Sequence, residues 1–315
     1  NWGIQNWTPT KVLFHMKKIS IMMLMASSFW GVAQERPELE EVFDPDELHT
    51  LVVLMEPIAT DRPDITESAF ITPIGWFQCE GGYQYSHAEE SLPGGSVTDS
   101  HQFEEVLRFG INQRFELRAV INANTERIDQ PSTWNDPMRR TGVSPITFGF
   151  KYNLIKESDV SPQITWLSQV SNSWIALGDY ASVYPEQIFH EQRLTIEKGI
   201  TDRFSLGTNI GAAGAMTGSN GFINEGMFSI AAGYDLGNNW STYAEYFMDW
   251  RVISGQFQYT PNVDGGMTKL LTNDLQFDIY AGYNLSEYFG TRLPSTGWFI
   301  GTGVSYRLPL AHYLR

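Results

Sequence analysis

From Trp76 to the C-terminus the chain alternates apolar residues with polar or small ones, at a period of two. The last such segment sets Trp298, Ile300, Val304, Tyr306 and Leu308 against Phe299, Gly301, Gly303, Ser305 and Arg307. Side chains on a β-strand alternate faces, so the pattern predicts strands with one apolar and one polar face. Twelve strands follow: Trp76–Tyr85, His101–Ile111, Arg114–Asn124, Ser144–Leu154, Ser161–Val170, Ile188–Gly199, Phe204–Ala213, Glu225–Leu236, Trp240–Trp250, Val263–Leu271, Leu275–Leu285 and Trp298–Leu308. The tenth, Val263–Leu271, has the weakest alternation. Short turns at 112–113, 201–202, 237–239 and 273–274 alternate with longer polar segments at 86–100, 125–143, 171–187, 214–224, 251–262 and 286–296.

A soluble sandwich would bury the apolar columns in its core. The N-terminus argues for the opposite arrangement. Met16, Lys17 and Lys18 precede the apolar run Ile19–Ala26, and Gly31-Val32-Ala33 offers a small-residue cleavage site. This reads as a signal peptide over residues 16–33, behind an upstream, non-native segment 1–15. Residues 34–74 are expected to form a periplasmic N-terminal segment, with a short helix starting near Asp44-Pro45. Residues 75–315 are expected to form an antiparallel transmembrane β-barrel in the bacterial outer membrane. Short periplasmic turns, long outer loops and an even strand number fit that architecture. A mean hydropathy of -0.25 hides such a wall, because only every second residue is apolar. Aromatic residues at 14% suit interfacial girdles, with Trp240 and Trp250 at the two ends of one outward column.

The formal charge is -15, and loss of residues 1–33 would remove three lysines and no acid. An acidic chain excludes nucleic acid as a natural partner. The single cysteine, Cys79, forms no intramolecular disulfide and is expected on the outer face.

The inward columns carry the candidate chemistry. They are expected to hold Glu80, Glu104, Arg108, Arg114, Glu116, Arg118, Lys151, Glu191, Arg193, Glu197, Glu225, Glu245, Asp249, Asp278 and Arg307. Ionisable groups at membrane depth must pair or face water. They either brace the barrel as a lattice of ion pairs or line a passage and select solutes. The principal lining candidates are Glu80, Arg108, Arg118, Lys151, Glu191, Arg193, Glu197, Glu245, Asp278 and Arg307. Directly before the wall, Asp61-Arg62-Pro63-Asp64 is expected to tuck into the periplasmic mouth, with Arg62 on a luminal carboxylate such as Glu80 or Asp278. An exposed periplasmic turn is the alternative. Enzyme chemistry would need a nucleophile beside a base at the rim, and His87, His101 and His190 with Ser86, Ser100, Asp99 and Glu191 are the residues to weigh. No closely spaced His or Cys pair suggests zinc. Asp264-Gly265-Gly266 is expected to be a tight turn or strand entry rather than a calcium loop. No cofactor is expected.

Two stretches carry a resemblance: 60–68, Thr-Asp-Arg-Pro-Asp-Ile-Thr-Glu-Ser, and 73–83, Pro-Ile-Gly-Trp-Phe-Gln-Cys-Glu-Gly-Gly-Tyr. They resemble the opening of the meta-pathway phenol-degradation family of bacterial outer-membrane proteins. Residues 114–118, the strand holding Glu245, 264–268, 275–278, 281–283 and 303–308 extend the likeness from about residue 58 to the C-terminus. The resemblance implies a β-barrel and a transport role. It supplies neither a catalytic set nor a substrate. The tail departs from many barrels, since Pro309–Arg315 follow Leu308. The function expected is passive passage of small hydrophobic or aromatic solutes. A sealed structural or assembly barrel is the second reading, and a membrane-embedded lipid- or peptide-processing enzyme the third. Expected partners are outer-membrane lipid, the solute and, during biogenesis, the barrel assembly machinery.

Overall fold

A computed structural model describes residues 56–310, apart from 91–94, 131–135, 184–186, 218–220, 254–255 and 287–294. The expected signal peptide and the helix near Asp44 lie outside the described residues. The strands are β1 (Trp76–Glu90), β2 (Val97–Asn112), β3 (Phe115–Asp129), β4 (Met138–Val143), β5 (Thr147–Ile155), β6 (Gln163–Asn172), β7 (Leu177–Gly178), β8 (Gln187–Thr201), β9 (Phe204–Thr217), β10 (Gly221–Gly237), β11 (Trp240–Ile253), β12 (Gln256–Thr272), β13 (Leu275–Asn284) and β14 (Ser295–Pro309).

Twelve of them close a ring in which each strand pairs antiparallel with its neighbours. β1 seals it against β14, from Trp76↔Pro309 to Glu90↔Ser295. Closure leaves no row of unpaired N–H and C=O groups facing lipid, where each would cost several kcal/mol. The short β4 and β7 are not part of the ring. β4 extends the outer end of β3, and β7 pairs with β4.

The apolar columns point outward. Phe103, Phe148, Ile279, Ile300 and Val304 are about half exposed, while Glu116, Lys151 and Asp278 are fully buried. A membrane supplies the solvent that such an outer wall needs. Rings cluster at both rims. Phe115, Phe150 and Trp166 meet at 5.3 and 5.2 Å near the short turns, the second pair edge to face, and Tyr85 meets Trp298 at 5.4 Å toward the loops. Glu105 is an exception on the outward column of β2. Its carboxylate accepts a hydrogen bond from the Cys79 thiol, which stands on the outward column of β1.

The five short connections share one device. Each pairing register slips by one residue just before the turn: at Gly110/Asn112, Asn153/Ile155, Gly199/Thr201, Asp235/Gly237 and Leu270/Thr272. In three of these turns the residue that ends the strand then caps its own turn. Asn112, Thr201 and Thr272 accept from the backbone N–H two residues on, at 2.8, 3.3 and 3.2 Å. In the fourth two-residue turn Gly237, Asn238 and Asn239 all take positive φ, which these residue types tolerate.

The structure departs from the sequence pattern at several places. The tenth expected strand is β12, seventeen residues long, and Asp264-Gly265-Gly266 lies in its interior. Glycines and a buried aspartate thin the alternation there without ending the ladder. Much of the expected loops 214–224 and 251–262 is strand, because backbone pairing continues past the apolar band. Arg114 is not inward. It is exposed in the turn between β2 and β3.

Candidate functional site

Residues 58–75 run along the inside of the barrel and touch strands around most of its circumference. The segment enters beside the turn after β12, where Ile58 donates its N–H to the Asn273 carbonyl at 2.7 Å. It leaves beside β2, where Gly75 donates to the Gly110 carbonyl at 2.9 Å. Between these points it has no regular secondary structure, so its backbone groups need partners from the wall. Inward carboxylates supply many of them. Glu80 accepts from the N–H groups of Asp61 and Arg62 at 2.8 and 3.2 Å. Glu245 accepts from Ile65 N–H at 2.8 Å and from the Thr66 hydroxyl at 2.5 Å. Glu197 accepts from Ala69 N–H at 3.1 Å and the Ser68 hydroxyl at 3.2 Å, and Glu116 accepts from Thr72 N–H at 2.5 Å. Gln163 and Thr165 donate to the Ala69 carbonyl at 3.0 and 2.5 Å.

Charge pairs lock the same layer. Asp61 meets Lys151 at 2.5 Å, Arg118 at 3.2 Å and Arg108 at 3.4 Å. Arg108 is fully buried and also pairs with Glu80 at 2.8 Å and Glu116 at 2.9 Å. Glu67 pairs with Arg118, with Lys151 at 3.4 Å and with Arg193 at 3.7 Å. Burial alone would raise the Glu67 carboxyl, but Arg118, Lys151 and Arg193 outweigh it and hold the group well below the usual carboxylate range. Asp64 differs. Burial and the like charge of Glu245 push its carboxyl well above that range.

Arg62 crosses to β13 and donates to both Asp278 oxygens at 3.3 Å, with the Tyr280 ring 5.7 Å away. Gly82 and Gly303 make room for it. A Cβ at Gly82 would stand 2.1 Å from the guanidinium carbon, and one at Gly303 would stand 2.5 Å from Nε. At the turn end, Arg307 binds Asp274 at 2.8 Å and the Glu56 carbonyl at 2.8 Å, over the Trp76 ring.

Above this layer, toward the loops, the interior opens. Two adjoining cavities of about 320 and 280 Å³ share Glu191, Ala213 and Glu225 in their walls. Arg193 stands at the boundary. It contacts Glu191 at 2.5 Å on the cavity side and Glu67 on the segment side.

A family model described as "MetA-pathway of phenol degradation" matches residues 60–308. The chain belongs to that family. The match begins at Thr60, so the inner segment is a family feature along with the wall. An outer membrane channel from Pseudomonas putida F1 shares the fold at TM-score 0.59 and 12% identity, over 78% of this chain and 99% of that one. The translocator domain of the autotransporter NalP from Neisseria meningitidis aligns at TM-score 0.49 and 8% identity, over 74% and 88% of the two chains. A monoaromatic hydrocarbon channel, CymD, aligns at TM-score 0.40 and 11% identity, over 76% and 89%. No curated protein matches the chain in sequence.

The structure thus places Glu80, Arg108, Arg118, Lys151, Glu197, Glu245 and Asp278 against the segment with Asp61 and Arg62, and Glu191 with Arg193 at the cavity floor. Asp64 feels the like charges of Glu245, Asp264 and Glu197 instead. Glu67 was not singled out by sequence. It lies outside the alternating wall, so no column marks it. The wall gives no charge signal for it either, since the inward cations Arg108, Arg118, Lys151 and Arg193 are matched in number by the inward acids Glu104, Glu116, Glu191 and Glu197 of the same strands. The three histidines do not gather. His87 binds Asp99 and Glu89, His101 binds Tyr83, and His190 stands on β8.

Proposed function

We propose that the chain is a channel of the bacterial outer membrane that passes small solutes passively, and that residues 58–75 form its constriction. The observation that carries this reading is the contrast within one lumen. A layer of ion pairs around Arg108 fills the periplasmic half, and the two cavities open directly above it. Charged and amide groups line the cavities, as a water-filled vestibule requires. The inward charges then have two roles, bracing below and selecting above. Small hydrophobic or aromatic solutes remain the expected cargo class. Catalysis has no part in this reading.

A sealed barrel is the competing reading. It draws on the full burial of Glu80, Arg108, Glu116 and Lys151, side chains that bulk solvent does not reach. Planar-bilayer recording of the purified protein separates the two. Discrete conductance steps, larger in Arg62→Ala than in the parent, are expected for the channel. Silence from correctly folded protein would favour the sealed barrel. An Arg62→Ala protein with unchanged steps and unchanged heat stability would remove the constriction from the account.

A further inference from the structure

One cross-strand row runs through the wall of the upper lumen. Gln169 pairs with Glu191, Glu191 with Ala213, Ala213 with Glu225, and Glu225 with Arg251. All five stand on inward columns. Ala213 is the short member, flanked by two carboxylates whose backbones lie two strand spacings apart, about 10 Å. Its methyl group cannot fill that gap, and the 320 Å³ cavity occupies it.

The two carboxylates already have cations, but on the far side. Arg193 meets Glu191 at 2.5 Å and Arg251 meets Glu225 at 3.6 Å. Both arginines line the 280 Å³ cavity and neither lines the larger one. The larger cavity therefore presents Glu191 and Glu225 with no arginine or lysine in its wall. The Gln169 side chain adds to the demand for a donor. It is only 8% exposed, its amide nitrogen reaches Glu191 at a long 3.5 Å, and its carbonyl oxygen has no partner. A buried acceptor left unpaired forfeits the hydrogen bonding it had in water. A donor bound in the cavity recovers that loss once the amide turns toward it. Phe189, in the same wall, offers an aromatic surface beside the acids.

We propose that this niche binds small organic ammonium groups, meaning protonated amines carried on an apolar or aromatic body. The ammonium sits above Ala213 between Glu191 and Glu225 and donates toward Gln169, while the body lies against Phe189. A carboxylate on the same body meets two like charges and is rejected. The inference rests on the solute-passage reading only for its physiological meaning, since binding itself needs no open passage.

The test uses one body with three head groups: 2-phenylethylamine, 2-phenylethanol and phenylacetate. Their affinities for the full-length protein in lipid nanodiscs are measured by saturation-transfer NMR, which requires no flux. The amine is expected to bind about tenfold more tightly than the alcohol, with phenylacetate weakest. Glu225→Gln should bring the amine to within about twofold of the alcohol. Ala213→Leu, which fills the niche, should abolish the amine preference by a different route. Phenylacetate binding as tightly as the amine overturns the proposal, as does an amine preference that survives both substitutions. If Glu225→Gln does not fold, the parent ranking and Ala213→Leu still decide. Amine preference in a protein that stays silent in bilayers would defeat the passage reading and leave the niche standing. Steps without any amine preference would do the reverse.

Discussion

The two halves of the lumen are built from the same residue types and do opposite things with them. In the periplasmic half, Arg108, Arg118 and Lys151 are buried under the inner segment, and each meets at least two carboxylates. In the extracellular half, Glu225 and Arg251 pair at 3.6 Å with both side chains around half exposed. The difference lies in what covers the charges. A buried pair is stabilising only while every member keeps its partners, whereas a solvated pair contributes little either way. The lower lumen can therefore be rigid and the upper one permissive without any change in composition. On the proposed reading, the half a charge occupies decides whether it braces or selects.

Substitutions can break that contrast at either end. The largest effect is expected for Arg108→Met. It strands Asp61, Glu80 and Glu116 together and should cost about 3–5 kcal/mol in urea unfolding followed by gel mobility. A loss under about 1 kcal/mol would mean that water reaches this layer. On the outer wall, Ile279→Lys puts a charge where the lipid band is expected and should cost about 2–4 kcal/mol in the same assay. A neutral outcome would move Ile279 out of the hydrocarbon.

Acidification sharpens the comparison further. The folded Glu67 carboxyl is held below its ordinary value of 4.5, so its stabilising contribution is complete above that pH and is lost as the pH falls through the acid range below it. Protease cleavage within residues 58–72 should accordingly become easier below about pH 4, and Glu67→Gln should show this sensitivity already at pH 7. Identical cleavage at both pH values would separate Glu67 from retention of the segment. The smallest effect belongs to the upper lumen. Asp249→Asn should alter unfolding by no more than about 0.5 kcal/mol while changing ion selectivity, read from reversal potentials.

Much of the wall was legible in the sequence, because the period of two is imposed by the backbone itself. The columns of β13 and β14 could be assigned residue by residue. Legibility failed where another force set the outcome. Alternation marks nine residues of β12 rather than seventeen, since hydrogen bonding to β11 and β13 carries it through Pro261 and the Gly265-Gly266 pair. Alternation alone places Arg114 inward, but the one-residue slip at Gly110/Asn112 precedes the turn that holds it. The inner segment was the hardest part. Asp61 and Arg62 stand out as charges before the wall, but Glu67, Thr66 and Ala69 owe their places to contacts with strands from 51 to 179 residues away. An irregular chain held by side chains of other elements carries no period of its own.

The central claim is that the inner segment, and not the wall, limits passage. It is tested most directly by single-channel conductance of the parent against a variant whose residues 58–72 are replaced by a glycine-serine linker of equal length. Small steps for the parent and steps several-fold larger for the variant are the predicted result. Equal conductance from two folded barrels would contradict it, and would place the constriction in the strands themselves.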